Sequence, residues 1–199
     1  MKEYIHQNAT KLKWTFMMTS AALTIGFLIW IFCSGLEGFT APGIVFGLLL
    51  TMIILPALVT SSEALYGMIE YKRTESFFES RTMREWLGQG FTKEWDSRDS
   101  RWYLSKRIAV GRFDQFEMIC EVEDGRLRVI AKADYGHLDS WTDQDIKSVQ
   151  QAFGHVRFEY DGQGIATSLK VSAVREMTLS AFEAYLREFG KMLRQLKIG

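Results

Sequence analysis

The sequence predicts an α-helical membrane hairpin of two transmembrane helices, followed by a two-layer α+β domain on a mainly antiparallel sheet, in the order α-β-β-β-(β)-α-β-β-α. Three observations carry this fold class. Residues 14–34 and 43–62 hold no Lys, Arg, Asp or Glu, and each run has about the 20 residues a helix needs to cross a hydrocarbon core. Past residue 100 the apolar period changes to two, the mark of half-buried strands. The chain then closes on an apolar stripe of helical period from Leu179 to Leu196.

Residues 1–74 comprise an N-terminal lead and the hairpin, and residues 75–199 suffice for one domain with its own core. Lys and Arg number 24, Asp and Glu 24, for a formal net charge of zero. This balance argues against a nucleic-acid binder, which carries a basic excess. The basic segment from Arg98 to Arg112 is bracketed by acidic stretches and reads as a solvated or headgroup-facing surface. Cys33 at the far end of the first apolar run and Cys120 in a strand are kept apart by the bilayer, so no disulfide framework is expected. The first apolar run is longer than a signal-peptide core and no small-residue cleavage site follows, which predicts a retained anchor.

Lys2, Lys11 and Lys13 precede the first helix, and Lys72, Arg73, Arg81 and Arg84 follow the second. The intervening loop, residues 35–42, has no Lys or Arg. The positive-inside rule therefore predicts a multi-pass protein of the cell (plasma) membrane, with both termini cytoplasmic. Trp14, Trp30, Tyr66, Tyr71, Lys72 and Arg73 stand where membrane-interface anchors belong. Ala22 with Gly26, and Gly43 with Gly47, have the small-xxx-small spacing that lets helix backbones approach, either within the hairpin or in a homo-oligomer. Pro56 predicts a kink in the second helix. The polar groups at bilayer depth are hydroxyls, including Thr19, Ser20, Thr24 and Thr51, which bond back to their own helix. No ionisable side chain marks an ion path.

The second helix either continues into the cytoplasm or stops near Thr74 and restarts at Ser76-Phe77-Phe78-Glu79, whose capping-box spacing favours the restart, with Phe78, Trp86 and Leu87 as core and Gly88 and Gly90 as its end. Strands follow on Trp102, Leu104, Ile108 and Val110; on Phe116, Met118, Cys120 and Val122; and on Leu127, Val129 and Ala131. Asp124-Gly125 predicts a tight hairpin between the last two. The alternate positions form a mixed-charge lattice expected to face solvent. Thr142-x-x-Asp145 signals a helix from Trp141 to Phe153. Val156, Phe158 and Tyr160 alternate into a turn at residues 161–164, residues 165–171 return as a strand, and Thr178 caps the last helix. Its stripe is Leu179, Phe182, Tyr185, Leu186, Phe189, Leu193 and Leu196.

No catalytic, cofactor-binding or metal-binding constellation stands out. His6, His137 and His155 are scattered and no Cys/His spacing suits a metal. Residues 136–140 (Gly-His-Leu-Asp-Ser) read as a loop into a helix cap, and Gly162 and Gly164 as a turn, since no helix N-terminus follows to receive an anion. The Trp residues at 86, 95, 102 and 141 read as packing.

The second half resembles the YbjN-like branch of the type III secretion chaperone-like fold. The resemblance rests on Phe153-Gly154 closing a helix, Val156 to Gly162 as a strand into a turn, the returning strand, and Met177-Thr178-Leu179-Ser180 opening an amphipathic helix. It spans residues 75–197 and excludes the hairpin. It implies a non-enzymatic domain that binds a protein partner or regulates signalling, often as a dimer. The expected function is a membrane-anchored adaptor or regulatory protein, with a lipid bilayer and an unidentified protein as partners. The alternatives are an oligomeric pore-forming or membrane-disrupting effector, and a membrane-surface enzyme on lipid or envelope precursors.

Overall fold

The computed structural model describes residues 2–35, 39–96, 104–132, 142–154, 156, 158–161 and 164–196. The chain divides into two compact units, Met1–Lys72 with Ser97–Lys106, and Arg73–Asp96 with Arg107–Gly199.

In the first unit, helix α1 runs over Lys2–Ser34. The return is α2 (Ala41–Leu49), a π-helical turn (Leu50–Ile54) and α3 (Leu55–Phe78), together an unbroken helix of 38 residues. The Thr40 hydroxyl caps its start by accepting from the Gly43 amide. At about 1.5 Å per residue both helices are far longer than the roughly 30 Å of hydrocarbon they would cross. The polar lead before Trp14 is thus helical too. Among the described residues, every large apolar side chain that is well exposed lies between Ile5 and Ile69. Only 6% and 11% of the most apolar windows of the two helices are buried, which is the opposite of a core helix in a water-soluble protein. The chain therefore has two helices long and apolar enough to span a membrane, with their apolar surface turned outward.

The expected restart at Ser76 is not seen: α3 passes through it to Phe78, and the break falls at Glu79-Ser80 before α4 (Arg81–Leu87). Thr74, Phe77 and Phe78 are all buried. Their spacing is helical, so α3 must continue through Ser76 for both rings to reach the core.

The second unit holds a six-stranded antiparallel sheet in the order β1-β2-β3-β4-β6-β5. The strands are β1 (Phe91–Trp95), β2 (Arg107–Phe113), β3 (Phe116–Glu123), β4 (Arg126–Lys132), β5 (Phe158–Asp161) and β6 (Gly164–Lys170). Helices α5 (Asp143–Ala152), α6 (Val171–Glu176) and α7 (Leu179–Gln195) complete it. Asp124 and Gly125 turn the β3–β4 hairpin with φ of 48° and 72°, the paired positive values that a two-residue loop requires. Thr142 and Asp145 form the full capping box, and the Thr178 hydroxyl accepts from the Ala181 amide.

Three expectations are corrected. The first strand is β1, whose core-side row Phe91, Lys93, Trp95 is broken by a lysine that bonds Glu75 of α3 at 2.8 Å. The strand expected from Trp102 begins instead at Arg107, and Leu104 and Ser105 belong to the helical unit. Val171 opens α6 rather than ending a strand.

One sheet face carries Ala109, Met118, Cys120, Leu127, Val129, Ala131 and Ile165 into a single core with Met83 and Trp86 of α4 and Phe182, Leu186, Phe189, Met192 and Leu193 of α7. Each large side chain so buried contributes about 1.5–3 kcal/mol. The other face is not the solvent-facing charge lattice expected. Val110, Ile119, Ile130 and Ala166 stand directly opposite one another in a row across β2, β3, β4 and β6, and the last three are buried. Charge flanks this row: Glu159 of β5 stands opposite Ala166 at its end, and in the neighbouring rows Arg128 meets Glu121 at 2.8 Å and Glu123 at 3.3 Å.

Candidate functional site: the contact lines of the helical hairpin

The residues that the sequence marks in the hairpin do not share one surface. Gly47 is buried in α2, and a Cβ built there would enter the ring of Phe27 on α1. Glycine is needed because the Phe27 ring lies where any side chain would start. Gly26 is the opposite case: a Cβ there would meet no atom within 4 Å. Ala22 is exposed on the same helix, and Gly43 only approaches its own cap, Thr40. Gly47 thus lies inside the hairpin, whereas Ala22 and Gly26 are open to the surroundings.

The anchor residues divide in the same way. Trp14, Trp30 and Tyr66 are exposed, and Trp30 makes an edge contact with Phe39 at 5.0 Å. Lys72 and Arg73 are exposed. Tyr71 instead turns inward, its ring 5.6 Å from that of Tyr4.

A polar clamp that sequence reasoning missed sits beside Tyr4. Asn8 is fully buried. Its side-chain amide donates to the Tyr4 carbonyl at 3.1 Å and to the Ser105 carbonyl at 3.5 Å, and its oxygen accepts from the Ser105 amide at 2.6 Å. One asparagine thereby satisfies both backbone groups of a residue 97 positions away, as a neighbouring strand would. The Tyr4 hydroxyl and Leu104 crowd the space that a Cβ at Gly67 would take. Burial, and then the charge of Glu63, push the Tyr4 phenol up to about 12, so it stays protonated at any physiological pH. The only hint in the sequence is the i, i+4 spacing of Tyr4 and Asn8 on a helix that the charge pattern places outside the bilayer.

Farther along, the Ser20 hydroxyl of α1, expected to bond back to its own helix, donates instead to the Met52 carbonyl of the second helix at 2.9 Å, inside the π turn, and the Thr24 hydroxyl has no hydrogen-bond partner among the described residues. Met52 lies four residues before Pro56, so its carbonyl is the one that the missing proline N–H would have bonded in an α-helix. Thr51 bonds back to the Gly47 carbonyl at 2.9 Å, as expected of an intramembrane hydroxyl.

In the second unit a cleft of about 450 Å³ is lined by Arg126, Arg128, Glu159, Ser168, Leu169 and Tyr185. Arg126 donates to Ser168 at 3.0 Å, and Tyr185 shares a hydrogen bond with Thr167. Burial raises the Tyr185 phenol above its ordinary range. This is a mixed polar and apolar surface, with no nucleophile beside a base among the described residues. Among the described residues, no group of three His, Cys, Asp or Glu side chains is placed to hold a metal. Trp86 is core and Trp95 lies under the Arg107 guanidinium at 4.6 Å. His137, His155, Gly162, Trp102 and Trp141 fall outside the described residues. No family model, curated protein or solved structure matches this chain.

Proposed function

We propose that the chain is a two-pass protein of a bacterial inner membrane whose α+β unit faces the cytoplasm and serves as an adaptor or regulatory module for a protein partner. The observation that carries this reading is the partition of apolar surface: the described residues put their exposed large apolar side chains between Ile5 and Ile69 and close the sheet unit around its own core. Orientation rests on Lys2, Lys11, Lys13, Lys72 and Arg73 flanking the hairpin, with no cation in the connecting loop. Kinship to the YbjN-like branch is proposed on the order of two antiparallel strands, a short helix and a long helix from Phe158 to Gln195.

Two measurements test it. Carbonate-washed membranes should retain the full chain, and protease added to sealed spheroplasts should leave the sheet unit intact. Digestion from outside, or release by carbonate, overturns the placement. Crosslinking in intact cells followed by gentle solubilisation should then recover a second protein attached to the sheet unit; recovery of this chain alone overturns the adaptor role.

A further inference from the structure

Along the second helix the buried residues Gly47, Thr51 and Pro56 and the half-buried residues Thr60, Ala64, Gly67 and Tyr71 form one series. Their steps are three or four residues throughout, except for one of five between Thr51 and Pro56, across the π turn. In a straight α-helix, at about 100° per residue, Gly47 and Gly67 would stand on nearly opposite sides, about 160° apart. The π turn takes up one residue and brings them to about 100° apart. Upstream of it Gly47 receives Phe27, and downstream Gly67 receives Tyr4, so both close contacts with α1 depend on the turn being present.

We propose that Pro56 and Ser20 together form a register lock: they hold the π turn in place and so fix the rotation of α3 about its axis. Pro56 cannot donate to Met52, and its ring collides with that carbonyl in α geometry, which disfavours closing the turn into a plain helix. Ser20 reaches across from α1 and satisfies the carbonyl that is left. With the lock removed, the turn closes to α-helix and α3 rotates by one residue. Positions 59, 63, 66 and 70 then replace 60, 64, 67 and 71 on the inner side. The rotation of α3 decides which side chains it offers between positions 59 and 71, so the lock controls a surface and not only a local bend.

The test is a thiol-labelling scan of the full chain in lipid vesicles, in a Cys33→Ser background, with single cysteines at 63, 64, 65, 66 and 68 and a soluble maleimide. With the lock intact, 65 and 66 should react fast and 64 and 68 slowly. Pro56→Ala should move the pattern by one position, speeding 64 and slowing 66 several-fold. Removing Ile53 in the Pro56→Ala chain should restore the original pattern, because the odd residue is then gone. Ser20→Ala should shift the pattern in the same direction as Pro56→Ala, and Ser20→Thr, which keeps the hydroxyl, should not. An unmoved pattern in Pro56→Ala overturns the proposal. So does a uniform gain at all five positions, which would mean that the helices part rather than turn.

Discussion

Asn8 holds Ser105 by both of its backbone groups, accepting from the amide at 2.6 Å and donating to the carbonyl, while its own residue is sealed from solvent. Asn8→Ala leaves a buried amide and carbonyl without partners, which should cost about 1–3 kcal/mol. Hydrogen exchange locates the loss: the Ser105 amide should exchange much faster in the variant, while amides in β3 and β4 keep their protection.

Gly47 and Gly26 are both glycines of the apolar hairpin, with opposite surroundings. Gly47→Leu should cost about 1–3 kcal/mol by forcing Phe27 aside. Gly26→Leu should stay within about 0.5 kcal/mol, since nothing lies within 4 Å of its Cβ. Thermal unfolding in detergent compares the two directly. If Gly26 also serves a contact between copies, its variant should lose crosslinked dimer without losing melting temperature.

Cys120 is buried in the sheet core, and burial, with the Glu121 charge beside it, pushes its thiol far above the usual range. A thiol reagent at pH 8 should leave Cys120 unmodified in the folded chain and react with it only after denaturation. The exposed Cys33 serves as the internal control.

The Thr142 hydroxyl and amide both hold the Asp145 carboxylate, lowering its pKa. A carboxylate with a depressed folded pKa stabilises fully above the ordinary aspartate range, and that stabilisation is lost as pH falls through the folded pKa. Asp145→Asn should therefore weaken α5 at neutral pH and make little difference in strong acid, as followed by exchange of the Asp145 and Ile146 amides.

Trp86 is fully buried with its ring 5.2 Å from Phe182 in an edge arrangement, and its indole N–H has no hydrogen-bond partner among the described residues. Trp86→Ala should cost about 3–5 kcal/mol. Trp86→Phe should cost far less, because it removes an unsatisfied donor along with the lost volume. Denaturant midpoints of the two variants check the order.

The parts of the fold legible in the sequence are those fixed by local chemistry. The two charge-free runs, the Asp124-Gly125 turn, the Thr142 box and the α7 stripe each lie within one short stretch of chain. What stayed hidden was set by distant partners. Lys93 disguises β1 as a polar segment until Glu75 is placed beside it. Ser76 spells a cap, but the need to bury Phe77 and Phe78 overrides it. Ile119 and Ile130 occupy the alternate positions that their strands otherwise fill with charged residues, and only the register shows them in a row. In the hairpin, Gly47 was singled out by its spacing, while Asn8, Ser20 and Ser105 act through bonds that no spacing rule announces.

The five-residue step at the π turn bears on how this chain should be compared with others. A helical wheel drawn straight through residues 43–78 puts Gly47 and Gly67 on nearly opposite sides, and would sort exposed from buried positions wrongly on one side of Pro56. A homologue lacking one residue there would look like a gapped, misaligned sequence while keeping the same interior, so alignments of this helix should admit a single-residue gap between positions 50 and 54.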